Sequence, residues 1–309
     1  TLALILAAVP PSTRTVHRRV DFLGAGLCAV GLGGIVFALI EEPHYGWSSP
    51  AIVIPFVVGA VALVSFVVHE RRTPEPMLKL ELFARRNFAV GNLETFSVYA
   101  GISILFFFLV IYLQEVAGYS ALKSGLTTLP VTIVMFLLSR RVGALADRLG
   151  PRLFMGAGPL IAAIGILLLV RVGMHVSYLT DLLPALLIFA FGLAITVAPL
   201  TATVLADADE EDAGIASAVN NAVARVAGLV GVSIIGVVVA GLLVGDTFAP
   251  NHESVQAFRM AMVVCAVLVG AGGVIGGIGI VNPRRPVEAE GCSGGQLVGT
   301  PQAALPQEA

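Results

Sequence analysis

The stretch SRRVGALADRLGPR, from Ser139 to Arg152, interrupts an apolar part of the chain with four arginines, one aspartate and two glycines. Of the 309 residues, 57% are hydrophobic and only 12% are charged. That charged share is about half of what a soluble protein carries, too little to cover a large soluble core. The composition therefore predicts an integral membrane protein. The net charge of −2 gives no general attraction to nucleic acid, so no nucleic-acid partner is expected.

Eight runs of the sequence carry no charge and have about the length, ~20 residues, of a helix that crosses a ~30 Å hydrocarbon layer. The longest run, LLPALLIFAFGLAITVAPLTATVLA, shows neither the polar stripe of a soluble helix nor the alternation of a membrane β-strand. The sequence therefore predicts an all-α integral membrane protein with eight full transmembrane helices. The charge-free runs are residues 22–40, 51–68, 95–114, 124–139, 153–170, 182–206, 226–245 and 260–283.

The two ends of the chain differ from these runs. Residues Leu2 to Pro10 are apolar but too short to span a membrane, and they follow neither an initiating Met nor a basic signal region. They are interpreted as the end of a ninth helix, so we expect the chain to be the C-terminal fragment of a longer protein. The residues from Asn282 onward are rich in Gly, Pro, Ala and Gln and are expected to be disordered.

The basic residues predict an orientation. If the segment before the first run is cytoplasmic and the sides alternate, the inner segments hold 14 Arg and Lys residues and the outer segments hold 3. This asymmetry follows the positive-inside rule and places the C-terminus in the cytoplasm. The inner loop ADADEED is acidic, but acids contribute little to that rule. The inner residues are Arg14, Arg18, Arg19, Arg71, Arg72, Lys79, Arg85, Arg86, Arg140, Arg141, Arg148, Arg152, Arg284 and Arg285, and the outer ones are Lys123, Arg171 and Arg259.

The opening stretch is thus predicted to be a short cytoplasmic turn between two membrane helices. A generic inner loop accounts for Arg140 and Arg141, but it does not account for the order of the residues that follow. Glycine permits a tight turn, and Asp147 is expected to meet the N-terminal amides of the next helix. The order resembles the GxLADRxGxR signature of the major facilitator superfamily of transporters. The matching residues are Gly143, Leu145, Ala146, Asp147, Arg148, Gly150 and Arg152.

Four further segments resemble the 14-helix drug:proton antiporter branch of that superfamily: RRVDFLGAGL, EEPHYGWSSP, HERRTPEPMLKLELFARRNFAVGNL and GIASAVNNAVARVAG. The resemblance implies a major facilitator type helical bundle of which the chain forms the C-terminal part. It also implies that the signature residues form a conformational latch to the missing N-terminal half. The implied division is a truncated helix end and loop (1–20), two inserted helices (21–69), a cytoplasmic linker (70–87), a six-helix bundle (88–282) and a disordered tail (283–309).

Three polar residues of the first bundle helix are candidates for a transport cavity or a proton-linked role. Glu94 lies about seven residues inside that helix, where a charge is costly. It either snorkels or pairs with Arg85 or Arg86, or it serves the cavity. Asn92 and Tyr99 lie on one face and are either helix-packing groups or cavity residues.

The second-last helix carries three further candidates, Asn220, Asn221 and Arg225. Arg225 lies deep enough to need a partner, and Glu94 on a neighbouring helix is our hypothesis for that partner. Overlapping GxxxG pairs in the last helix, Gly272/Gly276 and Gly273/Gly277, predict close helix packing.

The resemblance implies a secondary active transporter that exports drugs or other small molecules by alternating access, coupled to protons. Its expected partners are the lipid bilayer of the cell membrane, a small-molecule substrate, protons and the missing half, and the fragment alone is expected to be inactive. The alternative is a non-transporting membrane scaffold or sensor derived from a transporter. Neither a catalytic constellation nor a CxxC motif is visible, so no enzyme activity, cofactor or metal is expected.

Overall fold

The computed structural model describes residues 21–73, 76, 78–209, 212–240, 242 and 248–282. The predictions of a helix end within residues 1–20 and of a disordered tail at 283–309 lie outside these described residues. Within them the chain is helical and contains no strand. Eight helices of the described part are long and apolar enough to cross a membrane, as the charge-free runs predict.

The first two helices form an antiparallel hairpin. Helix α1 spans Phe22–Tyr45 and begins at Asp21, whose carboxylate accepts a hydrogen bond from the Gly24 amide at 2.8 Å. Helix α2 spans Pro50–Arg72. His69 near the end of α2 lies 2.9 Å from the Asp21 carboxylate, so the pair joins the two ends of the hairpin.

Six long helices follow the 3₁₀ turn at Leu80–Ala84 and pack into one bundle. Helix α3 is central, because α7, α8 and α9 all contact it. Helix α5 packs on α7, and α6 packs between α7 and α9. The helices are α3 (Arg86–Ile111), the short α4 (Ala121–Thr127), α5 (Leu129–Leu149), α6 (Pro151–Leu168), α7 (Leu183–Ala206), α8 (Ala213–Ala240) and α9 (His252–Gly279).

Buried apolar side chains fill the bundle where α3, α6, α7 and α9 meet. Leu105 and Leu109 of α3 are fully buried together with Phe189 of α7. Beyond the end of α3, the Tyr112 ring stacks on Phe258 of α9 with centroids 4.2 Å apart. Many large apolar side chains on the outside are exposed, such as Phe136 at 84%, which suits a surface that faces lipid.

Several helices extend beyond the charge-free runs. Helix α3 begins at Arg86, although its charge-free run begins only at residue 95. Helix α5 continues to Leu149, ten residues past the run that ends at 139. Long basic side chains can reach water from a helix end while the backbone stays helical, so a charge does not mark where a helix stops.

Candidate functional site

The signature stretch forms the end of one helix and a turn of one residue. Gly143, Leu145, Asp147 and Arg148 are all within α5, which ends at Leu149. Gly150 adopts a φ of 91°, a left-handed conformation that favours glycine, and Pro151 begins α6. The prediction that the whole stretch from Ser139 to Arg152 is a short cytoplasmic turn is therefore wrong in extent, because arginines are tolerated in the last turns of α5.

The position predicted for Asp147 is also wrong. Its side chain is exposed in the last turn of α5 rather than beside the N-terminal amides of α6. The Arg152 amide in the first turn of α6 instead donates to the side-chain oxygen of Asn282 at 3.0 Å. Asp147 lines a cleft of about 240 Å³ that Asn87 and Asp207 also line. Within the described part of the chain, it makes no hydrogen bond or ion pair.

Two arginines bind the last turn of α9 to α3 and α6. The Arg152 guanidinium donates to the Gly277 carbonyl at 2.6 Å, and the Arg86 guanidinium donates to the Gly279 carbonyl at 2.8 Å. Asn87 exchanges two hydrogen bonds with the backbone of Val281, at 3.0 and 2.9 Å. We call this part of the molecule, where Arg85, Arg86, Asp147, Arg152 and the end of α9 meet, the basic end.

The acidic loop between α7 and α8 is paired with the segment that enters the bundle. Lys79 lies 2.6 Å from Asp212, whose side chain is only 3% exposed. The Arg85 guanidinium lies 2.5 Å from the Asp209 carboxylate, and the Asp207 carboxylate accepts from the Phe88 amide at 2.9 Å. The hydrogen bond with Arg85 lowers the pKa of Asp209, and the same bond raises the pKa of Arg85. Opposite charge in the two segments was a signal for this pairing that the sequence reasoning did not use.

A cavity of about 870 Å³ opens between α1, α3 and α8. Its polar groups include three of the predicted candidates, Tyr99, Asn221 and Arg225, together with Ser103 and Ser233. Apolar side chains such as Phe107 and Leu229 form most of the remaining lining. A largely apolar cavity with a few placed polar groups is typical of a small-molecule site.

Two other candidates form a buried contact between helices. The Asn220 amide on α8 donates to Asn92 at 3.2 Å and to Thr95 at 2.8 Å, both on α3. Asn92 in turn donates to the Phe88 carbonyl at 2.9 Å and is 4% exposed. Asn92 and Asn220 are thus packing groups that hold α3 against α8, and Thr95 is a third member of this contact that the sequence reasoning missed.

Glu94 lies apart from the cavity. It is 0% exposed, and neither carboxyl oxygen has a hydrogen-bond partner among the described residues. Its carboxyl group faces Gly276 of α9, whereas Arg225 lines the cavity on α8. The predicted pair of Glu94 with Arg225 is absent from this arrangement, and the alternatives with Arg85 or Arg86 are absent too, because these bind Asp209 and the Gly279 carbonyl.

The GxxxG prediction for α9 is confirmed. A Cβ at Gly273 would lie 2.8 Å from the Gly156 carbonyl of α6, and one at Gly277 would lie 3.3 Å from the Gly156 Cα. Among the described residues, no three His, Cys, Asp or Glu side chains are close enough to hold a metal ion.

Named proteins with similar sequences are exporters and resistance proteins. The chain is 29% identical over 288 residues to the multidrug resistance protein Stp of Mycobacterium tuberculosis. The aligned region covers 93% of this chain and 53% of Stp. It is 30% identical over 268 residues to a probable actinorhodin transporter of Streptomyces coelicolor, covering 84% and 46% of the two chains. It is 33% identical over 249 residues to the puromycin resistance protein pur8 of Streptomyces alboniger, covering 78% and 48%. The chain thus spans about half the length of the curated relatives it matches.

The family model of the Major Facilitator Superfamily matches residues 3–232, which include the signature stretch at the basic end and the cavity helices α1, α3 and most of α8. This match covers well over half of the chain. The chain is therefore a multi-pass membrane protein that belongs to the Major Facilitator Superfamily, a family of transporters rather than enzymes.

Proposed function

We propose that this chain supplies the C-terminal part of a proton-driven exporter of drugs or other small molecules that works by alternating access. The cavity between α1, α3 and α8 is the observation that carries the proposal. Its volume of about 870 Å³ and its apolar lining suit a drug-sized molecule. Midplane sites between rocking halves are the general architecture of such transporters.

The chain acts in this proposal together with an N-terminal half that closes the same cavity. Relatives about twice as long, named for resistance or transport, support this arrangement. The basic end supplies the second argument. The exposed Asp147 shares its cleft with Asp207, and two aspartates in one cleft suit a basic side chain from the other half.

Export by the complete reading frame that contains these residues tests the proposal. Ethidium accumulation is measured in cells that express the complete protein, in cells that express residues 1–309 alone, and in cells with empty vector. We expect export from the complete protein only, with loss of export when a protonophore collapses both the pH difference and the membrane potential that make up the proton gradient. Export that survives collapse of the gradient contradicts proton coupling.

A matched pair of aromatic variants assigns export to the cavity. Tyr99→Ala removes an aromatic wall of the cavity, whereas Phe136→Ala removes an exposed aromatic side chain that does not line it. We expect Tyr99→Ala to reduce export several-fold and Phe136→Ala to preserve it at equal expression. Absence of export for every substrate tested, from a protein that inserts normally, favours the scaffold or sensor alternative.

A further inference from the structure

Glu94 is a carboxyl group without any of the partners that a buried charge needs. Its side chain is 0% exposed, and both oxygens lack a hydrogen-bond partner within the described part of the chain. A buried ionised carboxylate is stable only when it is paired or hydrogen-bonded. Removal of a proton from Glu94 in this conformation would create such an unpaired charge, so the geometry requires the neutral acid.

Backbone and glycine surround the Glu94 carboxyl group. A Cβ at Gly276 of α9 would overlap its Oε2 atom, so only glycine leaves room for the carboxyl group there. The same Cβ would lie 2.8 Å from the Met155 carbonyl of α6. Glu94 on α3 thus lies at the point where α6 and α9 come together.

The charged groups on the surrounding helices are all directed elsewhere. Arg86 of α3 and Arg152 of α6 donate to the Gly279 and Gly277 carbonyls. Arg225 of α8 lines the cavity, and Arg259 of α9 donates to the Val172 carbonyl at 3.4 Å. Helix α7 carries no charged residue between Leu183 and Ala206. Among the residues that the structure describes, Glu94 therefore has no cation to balance a negative charge.

We propose that Glu94 is a proton-binding site separate from the substrate cavity, loaded in this conformation and able to release its proton only when α9 moves away from α3 and α6. This inference rests on the proposed proton-driven export. Proton binding converts the carboxylate to the acid and allows α9 to close over it. Proton release needs water or a cation at the carboxylate, and neither can enter while Gly276 covers it.

The last turn of α9 connects this proton site to the signature stretch. Gly276 covers Glu94, and the next residue, Gly277, is held by Arg152 of the signature. Movement of α9 away from Glu94 would therefore strain or break the Arg152 contact. Through this turn, the protonation state of Glu94 regulates the contact that the signature makes at the basic end.

Carbodiimide labelling tests the site without any transport assay. Dicyclohexylcarbodiimide adds to a protonated carboxyl group in apolar surroundings and remains as an N-acylurea that mass spectrometry locates. Membranes containing the chain are treated at neutral pH, and labelling of Glu94 is compared with that of Glu115, which is exposed. We expect Glu94 to be labelled several-fold more, with Glu94→Gln removing that label and Glu115→Gln leaving it. Labelling of Glu115 above Glu94, together with the absence of a neutral-acid infrared band from the wild type, overturns the proposal.

Infrared spectroscopy provides a second measurement that needs no reagent access. A neutral carboxylic acid has a carbonyl stretching band that a carboxylate lacks. We expect such a band at neutral pH in the wild type and in Glu115→Gln, and its loss in Glu94→Gln. Glutamine has the shape of the protonated acid, so the variant is expected to fold. An unchanged band in Glu94→Gln contradicts a proton on Glu94.

Export by the complete protein separates this inference from the proposed function. We expect Glu94→Gln to bind ethidium as the wild type does but to lose proton-driven export, because its side chain cannot release a proton. Export by Glu94→Gln with unchanged proton dependence overturns the coupling role. A further outcome is a wild type that fails to export although Glu94 carries the carbodiimide label and the infrared band. That result refutes the proposed export and its coupling to protons, but it leaves the proton-binding site at Glu94 intact.

Discussion

The Arg85 guanidinium lies 2.5 Å from the Asp209 carboxylate and 2.6 Å from the Asp207 carbonyl. Arg85 immediately precedes α3, and the two aspartates follow α7. The contact therefore fixes the entrance of the central helix against the α7–α8 loop. It also explains why an acidic loop lies on the side of the membrane predicted to carry the basic residues. By the positive-inside rule alone, this loop is an exception.

The stabilising effect of this pair should depend on pH. The hydrogen bond from Arg85 holds the pKa of Asp209 below its usual value of about 4. A carboxylate with a lowered pKa stabilises the fold fully above its unfolded pKa and loses that contribution as pH falls through the folded value. We expect Arg85→Gln to lower the Tm slightly near pH 7, and the difference from wild type to shrink as pH falls through the lowered pKa of Asp209. Thermal melts in detergent across that range test this.

Salt gives an independent check on the same pair. The Asp209 side chain is 66% exposed, so dissolved ions should screen its attraction to Arg85. The Tm difference between Arg85→Gln and wild type should shrink as salt rises at pH 7. A difference that is constant in both pH and salt would mean that the lost hydrogen bond to the Asp207 carbonyl dominates.

Two glycines of the signature should respond oppositely to alanine. Gly150 has a φ of 91°, and a Cβ there would approach Asn282 to 2.5 Å. Gly143 is inside α5, where a Cβ would make only an ordinary contact of 3.8 Å with Ala198. We expect Gly150→Ala to destabilise by about 1–3 kcal/mol and Gly143→Ala to be neutral or stabilising by up to about 1 kcal/mol. Chemical unfolding in mixed micelles measures both, and equal destabilisation would contradict the turn geometry.

The sequence predicts the eight membrane helices well because their signal is local: each is a long run without charge. It predicts the extent of the signature turn poorly, since arginines in the last turns of α5 look the same as arginines in a loop. Gly150 and Pro151 are the residues that mark the real turn, and they were visible in the sequence.

For the candidate site, prediction from the sequence is limited by helical phase, that is, by which face of a helix each side chain lies on. Glu94 follows Asn92 by two residues, so their side chains point roughly 200° apart around α3 at 3.6 residues per turn. Asn92 therefore meets Asn220 of α8 while Glu94 meets Gly276 of α9. The prediction that Glu94 pairs with Arg225 rests only on how deep each residue lies in the membrane. The helical phase puts Glu94 and Asn92 on different faces of α3. Which helix lies against each face becomes known only from the packed bundle.

The orientation predicted from the basic residues can be tested directly. Ala144 at the basic end and Ser48 in the α1–α2 turn are both exposed. Single cysteines at these positions, with Cys28, Cys265 and Cys292 replaced, should react with an impermeant thiol reagent from opposite sides. We expect Ser48→Cys to be labelled in intact cells and Ala144→Cys only after permeabilisation. Labelling of both in intact cells would exclude a cytoplasmic basic end.

The latch role of the signature predicts a difference between two exposed charges of α5. Asp147 lines the cleft with Asp207, whereas Arg141 lies six residues earlier in α5 and is not part of the lining of that cleft. Neither has an ion-pair partner within the described residues, so the partner that the latch proposal gives Asp147 lies outside them. A basic side chain of the N-terminal half would lose its carboxylate partner in Asp147→Asn but keep its surroundings in Arg141→Gln. In the complete protein we expect Asp147→Asn to reduce export about tenfold, which corresponds to about 1.4 kcal/mol, and Arg141→Gln to change it less than twofold.

Export is measured at equal surface expression. The partner of Asp147 is identified by a second substitution: replacing that basic residue of the other half by a neutral residue restores export in Asp147→Asn. Wild-type export by Asp147→Asn would remove the latch role and leave the signature as a packing motif that holds α6 against α9.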